Sequence, residues 1–133
     1  MPGKFFIDTN IVIYALGKQT EKTAIAKRLF STEPIISTQV LSEAANVALR
    51  KLALPIIEAT ALVETLKELC HIELITTASI DRAFQIADRY KFAWYDSLIV
   101  ASALEAGCEK LYTEDLRHGQ IIDAQLTVVN PFT

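Results

Sequence analysis

The chain has only two cysteines and two histidines, and they are not arranged as metal ligands. Cys70 and Cys108 lie far apart and form no C-x-x-C pair, so a Cys/His zinc site has too few closely spaced ligands. Both cysteines read as small buried hydrophobes at helix ends. Glycine and proline are scarce too, at four each, while 51% of residues are hydrophobic. That balance excludes a fibrous or mostly disordered chain. No internal repeat, low-complexity stretch or linker interrupts the sequence. Long apolar runs are missing as well, since the run at 98–103 is far too short to span a bilayer. At the N-terminus, Asp8 cuts off Phe5-Phe6-Ile7 before the apolar region of a signal peptide can form. The expectation is a cytoplasmic protein without a membrane partner. An excess of positive charge is also lacking, with 13 Lys and Arg against 16 Asp and Glu for a net charge of −3. This argues against a generic basic nucleic-acid binder. It leaves open an acidic site that works through bound cations, which reverse the local charge.

What is present suits one domain spanning residues 1–133. A domain of about 150 residues buries roughly 70% of its unfolded surface, so a core forms without disulfides or a structural metal. Short apolar runs alternate with helical patterns. Phe5-Phe6-Ile7 reads as a strand covered on both faces. Asp8-Thr9-Asn10, all N-cap types, predict a helix through Leu16 that stops at Gly17. A short helix over 24–30 and a strand over 34–37 follow. Ser37 or Thr38 caps a helix through Lys51. Pro55 suits the first turn of the next helix, where Leu62, Leu66 and Leu69 share a face. A strand is expected over 72–75. Ser79 then opens a helix with Ile80, Ala83, Phe84 and Ala87 on one face, and Asp96 opens another that ends at Gly107. The last two strands are 110–113 and 126–129. Such alternation predicts an α/β fold with a mostly parallel sheet and right-handed crossovers. Ligands in such folds bind beyond the C-terminal ends of the strands, where the strand order switches.

Four acids fall at that edge. Asp8 follows strand one, and Asp115 follows strand four. Asp96 sits in the first turn of the helix feeding strand four, and Glu43 lies early in the helix after strand two. Glu43 borders the apolar arc of Val40, Ala44, Val47 and Ala48, so it leans toward the core edge. The helix holding Asp96 is apolar nearly all round and therefore buried, so an acid at its start needs a partner. Any one of these residues alone would pass as a cap, a turn residue or a surface acid. Together they repel one another and resist desolvation, so they must take up protons or hold a cation. Carboxylate oxygens suit Mg²⁺ or Mn²⁺. Such ions can activate water for phosphodiester hydrolysis.

The local sequences carry a resemblance. Phe6-Ile7-Asp8-Thr9-Asn10 resembles the opening motif of PIN domains, and Val40-Leu41-Ser42-Glu43 is similar to the second. Tyr95-Asp96-Ser97-Leu98-Ile99-Val100-Ala101-Ser102-Ala103 looks like the third and most specific one. Leu111-Tyr112-Thr113-Glu114-Asp115 resembles the fourth. Order and spacing match over nearly the whole chain. The resemblance implies a three-layer α/β/α fold with a five-stranded sheet in the order 3-2-1-4-5. It also implies a Mg²⁺- or Mn²⁺-dependent RNA endonuclease like the VapC-type toxins of toxin–antitoxin pairs. Asp8, Glu43, Asp96 and Asp115 would be its metal ligands and catalytic residues, with Asn10, Ser97 and Thr113 in support. Glu114 and Asp115 are adjacent and point to opposite faces if the strand continues; the spacing from Thr113 favours Asp115. A homodimer and a cognate antitoxin are the partners the likeness implies, beside the RNA substrate.

Arg50 and Arg117, with Lys18, Lys22 and Lys51, are candidates to line the approach and hold phosphates, although most such charges are simply a solvated surface. His118 could act as a general base, and an exposed loop histidine is the plainer reading. Trp94 reads as core or rim rather than as a stacking surface. Two other functions compete. One is a PIN-fold module that binds RNA without cutting it, which the complete acid set argues against. The other is a receiver-type regulatory domain, which needs a late lysine; none follows Lys110.

Overall fold

In the computed structural model, which describes residues 3–17 and 20–133, six strands form one sheet. They are β1 (Phe5–Ile7), β2 (Ile35–Ser37), β3 (His71–Glu73), β4 (Lys110–Tyr112), β5 (Ile121–Ile122) and β6 (Leu126–Val129), in the order β3-β2-β1-β4-β6-β5. Every pairing is parallel except β5 with β6. The five parallel strands keep the expected order, and β1 lies between β2 and β4 instead of beside β3, as a receiver-type order would require. The correction is the sixth strand, β5, a two-residue edge strand too short to show any periodicity. Its turn places Asp123 and Ala124 at φ values of 50° and 54°. Asn-Gly or Asp-Gly is the usual signature of two successive positive φ angles, and Asp123-Ala124 carries only half of it.

The helices are α1 (Thr9–Leu16), α2 (Glu21–Leu29), α3 (Thr38–Arg50), α4 (Ile56–Leu69), α5 (Thr77–Tyr90) and α6 (Trp94–Glu105). The chain runs from β1 to β2 to β3 in one direction across the sheet, then returns past them to β4. Right-handed crossovers therefore place α1 to α4 on one face and α5 with α6 on the other. Contacts agree: α1 packs on α2 and α3, α3 on α4, and α5 on α6. Phe6, Ile7, Ile36, Leu111 and Val128 form the fully buried centre of the sheet. Ser97 to Leu104 of α6 are buried all round, as an apolar helix should be. Cys70 and Cys108 are buried at the ends of α4 and α6, and burial pushes both thiols up to about 12.

Three helix starts differ from expectation. α2 begins at Glu21, because the Thr20 hydroxyl accepts the Thr23 N–H at 3.2 Å. α5 begins at Thr77, because Thr76 and Ser79 cap each other reciprocally and Ser79 becomes the third helical residue. α6 begins at Trp94 with Ala93 as N-cap, so Asp96 is inside the first turn and caps nothing. β3 starts one residue earlier than expected, at His71. Phe84 leaves the predicted face of α5 and is 62% exposed, leaning on the half-buried Trp94 ring at 4.7 Å. The apolar face of α5 centres instead on Ser79, Ala83 and Ile86. Among the described residues, no helix is long and apolar enough to cross a membrane.

The β5–β6 turn is tied to α5 through Asp123. The Tyr90 hydroxyl donates to Asp123 Oδ1 at 2.9 Å and accepts the Asp123 N–H at 2.7 Å, while Arg89 and Arg82 pair with the same carboxylate. Tyr90→Phe removes both hydroxyl bonds and leaves a backbone N–H without its acceptor. An expected loss of about 1–2 kcal/mol follows, to be read as a lower urea midpoint at unchanged slope.

Candidate functional site

The sheet order reverses between β1 and β4: the chain leaves β1 toward β2 and leaves β4 toward β6. A crevice opens at the C-terminal ends of strands at such a switch. Ile7 is the rung opposite Tyr112, so the next residues, Asp8 and Thr113, meet in that crevice. Asp8 N–H donates to the Tyr112 carbonyl at 3.0 Å and fixes the end of β1.

Asp8 is 5% exposed and does two jobs. Its Oδ1 accepts the Thr9 N–H at 2.6 Å and caps α1. Its Oδ2 accepts the Thr113 hydroxyl at 2.7 Å and the Asn10 amide at 3.4 Å. Thr113 Oγ1 in turn accepts Asn10 Nδ2 at 3.3 Å and the Asp115 N–H at 3.0 Å. Asn10 and Thr113 thus form a polar brace that orients Asp8 and the backbone leading to Asp115. Asn10 Oδ1 also accepts the Glu114 N–H at 3.4 Å, fixing the same loop from the other side.

Asp8, Asp96 and Asp115 each bring a carboxylate oxygen to within 4.8 Å of the others. Asp115 belongs to this cluster and Glu114 does not: Glu114 Oε2 pairs with Lys22 Nζ at 3.0 Å. Glu43 lies outside the tight cluster but lines the same recess, of about 160 Å³, together with Thr9, Gln39, Tyr95 and Ile99. Its Oε1 accepts Gln39 Nε2 at 2.7 Å. Burial raises the Asp8 carboxyl to about 7; the Asp115 and Asp96 charges add to this, against the hydrogen bonds from Thr113 and Thr9. Burial also raises Asp96, followed by the charges of Asp115 and Glu43.

These features fit a cation. Among the described residues, no lysine or arginine forms an ion pair with the three aspartates. Thr9 Oγ1 and Gln39 Oε1, both lining the recess, are buried without a hydrogen-bond partner. The donors are all oxygens, which favours a hard ion such as Mg²⁺ or Mn²⁺ over zinc.

The other predicted residues lie elsewhere. Ser97 is fully buried and its hydroxyl donates to the Ala93 carbonyl at 3.0 Å, so it braces the first turn of α6 rather than facing the acids. Arg50 is exposed in the last turn of α3, about two turns beyond Glu43 and on the same side of the helix. Arg117 lines a separate recess with His118, Gly119 and Gln120. His118 Nδ1 accepts the Asn130 N–H at 3.0 Å, which leaves that nitrogen occupied by the loop. Lys22 is committed to Glu114 and to the Tyr14 hydroxyl at 3.3 Å, with its ammonium against the rings of Tyr14 and Phe132. Lys51 is exposed at the end of α3, and Lys18 lies outside the described residues. Gln39 and Thr9 also line the recess, Thr9 in addition to its place among the cap-type residues that open α1. Gln39 stands four residues before Glu43, a helical spacing at which an amide and an acid meet, and that was the available signal.

The family described as PIN domain matches residues 5–123. No curated protein sequence matches the chain. Several solved structures share its fold. The DNA-bound VapBC of Salmonella typhimurium is 23% identical with a TM-score of 0.70, covering 96% of this chain and 97% of that one. VapC20 of Mycobacterium tuberculosis, described as a sarcin-ricin loop cleaving toxin, is 21% identical with a TM-score of 0.69, covering 84% and 90%. FitAcB of Neisseria gonorrhoeae is 21% identical with a TM-score of 0.67, covering 96% and 98%. At these identities the likeness is one of fold.

Proposed function

The chain belongs to the PIN domain family, and from that premise we propose that it is a divalent-metal-dependent endoribonuclease, the toxin of a toxin–antitoxin pair. The observation that carries this reading is the meeting of three aspartate oxygens within 4.8 Å, with no lysine or arginine among the described residues in an ion pair with them. Asp8, Asp96 and Asp115 would hold Mg²⁺ or Mn²⁺, with Glu43 at the wall of the recess. Bound there, the ion would supply Lewis-acid charge to the scissile phosphodiester and lower the pKa of the attacking water. Asn10 and Thr113 keep Asp8 oriented, and Ser97 keeps the first turn of α6 in place beneath Asp96. Arg50, on the Glu43 side of α3, is the cation proposed to hold a backbone phosphate; its replacement should lower the salt slope of RNA binding by about one.

The toxin reading draws on the structural neighbours, among them a toxin–antitoxin complex from Klebsiella pneumoniae and VapBC of Salmonella typhimurium. An acidic recess would be closed well by an antitoxin arginine, whose guanidinium pairs bidentately with a carboxylate. A homodimer is proposed with it, on the family likeness.

The test is cleavage of a labelled RNA panel by the purified protein with Mn²⁺, with Mg²⁺ and with EDTA. Internal cuts that need the metal and stop with EDTA are expected. Folded protein that binds RNA with metal present but cuts nothing would replace the nuclease with a binding module. Cutting that survives EDTA would remove the metal from the mechanism.

A further inference from the structure

Gln39 is the second residue of α3 and stands one turn before Glu43. Its Nε2 donates to Glu43 Oε1 at 2.7 Å and to the Tyr95 carbonyl at 3.3 Å, so one amide links α3, the fourth acid and the first turn of α6. Both partners are acceptors, and only the NH₂ end can serve them, which fixes the orientation of the carboxamide. The consequence is that Gln39 Oε1 is buried without a partner. An unpaired buried acceptor is unfavourable. Stability alone therefore gives little reason for this side chain to stand here.

Glu43 needs holding. Its charge acts on Asp96, and Asp115 and Asp8 stand beyond in the same recess. Without a restraint, like-charge repulsion would favour rotamers that carry the Glu43 carboxylate out to water. We propose that Gln39 is a positioning residue: it clamps Glu43 against that repulsion at the edge of the recess, within reach of an ion held by Asp8, Asp96 and Asp115. Among the described residues no hydrogen bond engages Glu43 Oε2, so the clamp leaves that oxygen to the ion or its water. Because Tyr95 immediately precedes Asp96, the same amide also ties Glu43 to the backbone that carries the third acid. This inference rests on the metal-site reading above and deepens it.

The experiment is a calorimetric Mn²⁺ titration, without RNA, of the wild type, Gln39→Met, Glu43→Ala and the double variant. Methionine keeps the length of the side chain and removes both the donor and the unpaired oxygen. Its metal-free melting temperature should equal or exceed that of the wild type, which excludes misfolding as the cause of any change. Lost outer partners of a metal site weaken binding about 10–100-fold, and Gln39→Met is expected in that range. In the Glu43→Ala background, Gln39→Met should have no further effect, since nothing remains to be clamped. Equal Mn²⁺ affinity in the wild type and Gln39→Met overturns the clamp while leaving the metal site standing. A full further loss in the Glu43→Ala background also overturns it, because Gln39 would then act on the ion by itself. A wild type that binds no Mn²⁺ overturns the metal-site reading, and the clamp with it.

Discussion

Asp115→Asn is expected to lower RNA cleavage at least about a hundredfold, whereas Glu114→Gln is expected to stay within a few-fold of the wild type. The two acids are neighbours in sequence but face different partners. Asp115 brings an oxygen to within 4.8 Å of those of Asp8 and Asp96. Glu114 reaches back to Lys22 at 3.0 Å. Losing an outer partner of a metal site costs about 10–100-fold in affinity or activity, so neutralising a proposed ligand should cost no less. An Asn keeps the size of the side chain and its backbone bond to Thr113 Oγ1, so the fold should hold. Glu114→Gln gives up a partly exposed ion pair, of the kind worth at most about 1 kcal/mol. Its effect should appear as a small drop in thermal stability. The measurement is single-turnover cleavage at saturating Mn²⁺ for both variants. Equal losses in the two would mean that the loop, and not the Asp115 carboxylate, matters.

The second large effect is on the metal-free protein, where Asp8 should make stability fall as pH rises. Burial holds this carboxyl at about 7 in the fold, against an ordinary value of 3.8. Below 3.8 both folded and unfolded chains carry the proton, and the stability is fully present. Between 3.8 and about 7 the unfolded chain has released the proton while the fold keeps it, so stability drops steadily with rising pH. Above about 7 the whole penalty is felt. A shift of that size corresponds to about 4 kcal/mol. Asp8→Asn removes the penalty but leaves the Thr113 hydroxyl without its carboxylate acceptor, a cost of about 1 kcal/mol. In EDTA at pH 8, Asp8→Asn should therefore be more stable than the wild type, by about 2–3 kcal/mol after both contributions. Mn²⁺ should reverse the ranking, since an ion displaces the proton and binds the folded wild type only. A wild type whose EDTA stability is flat between pH 4 and 8 would remove Asp8 as the source of the pH dependence.

Much of this was legible in the chain. Phe5-Phe6-Ile7 followed by Asp8-Thr9-Asn10 reads as strand, cap and helix because local propensity and tertiary packing agree there. The parallel pairing follows from the alternation of strands and helices, the strand order only from the PIN resemblance, and the acids fall where such a sheet opens. What was hidden depends on contacts between distant segments. A two-residue strand such as β5 exists because β6 and the Tyr90–Asp123 tie hold it, and neither leaves a periodic trace. Ser97 carries the right residue type beside Asp96, yet its hydroxyl turns back onto its own helix, a choice set by burial. Lys22 reads as a free cation until Glu114 and two rings, distant in sequence, claim it. The helical spacing of Gln39 from Glu43 shows only half of its role, because the bond to the Tyr95 carbonyl depends on where α6 packs.

The most direct measurement is an anomalous difference map from crystals of the wild type and of Asp96→Asn soaked in Mn²⁺. A strong peak among Asp8, Asp96 and Asp115 in the wild type, lost or much weakened in the variant, is the predicted result. A Mn²⁺ peak elsewhere on the surface, with none among these aspartates, would contradict the account.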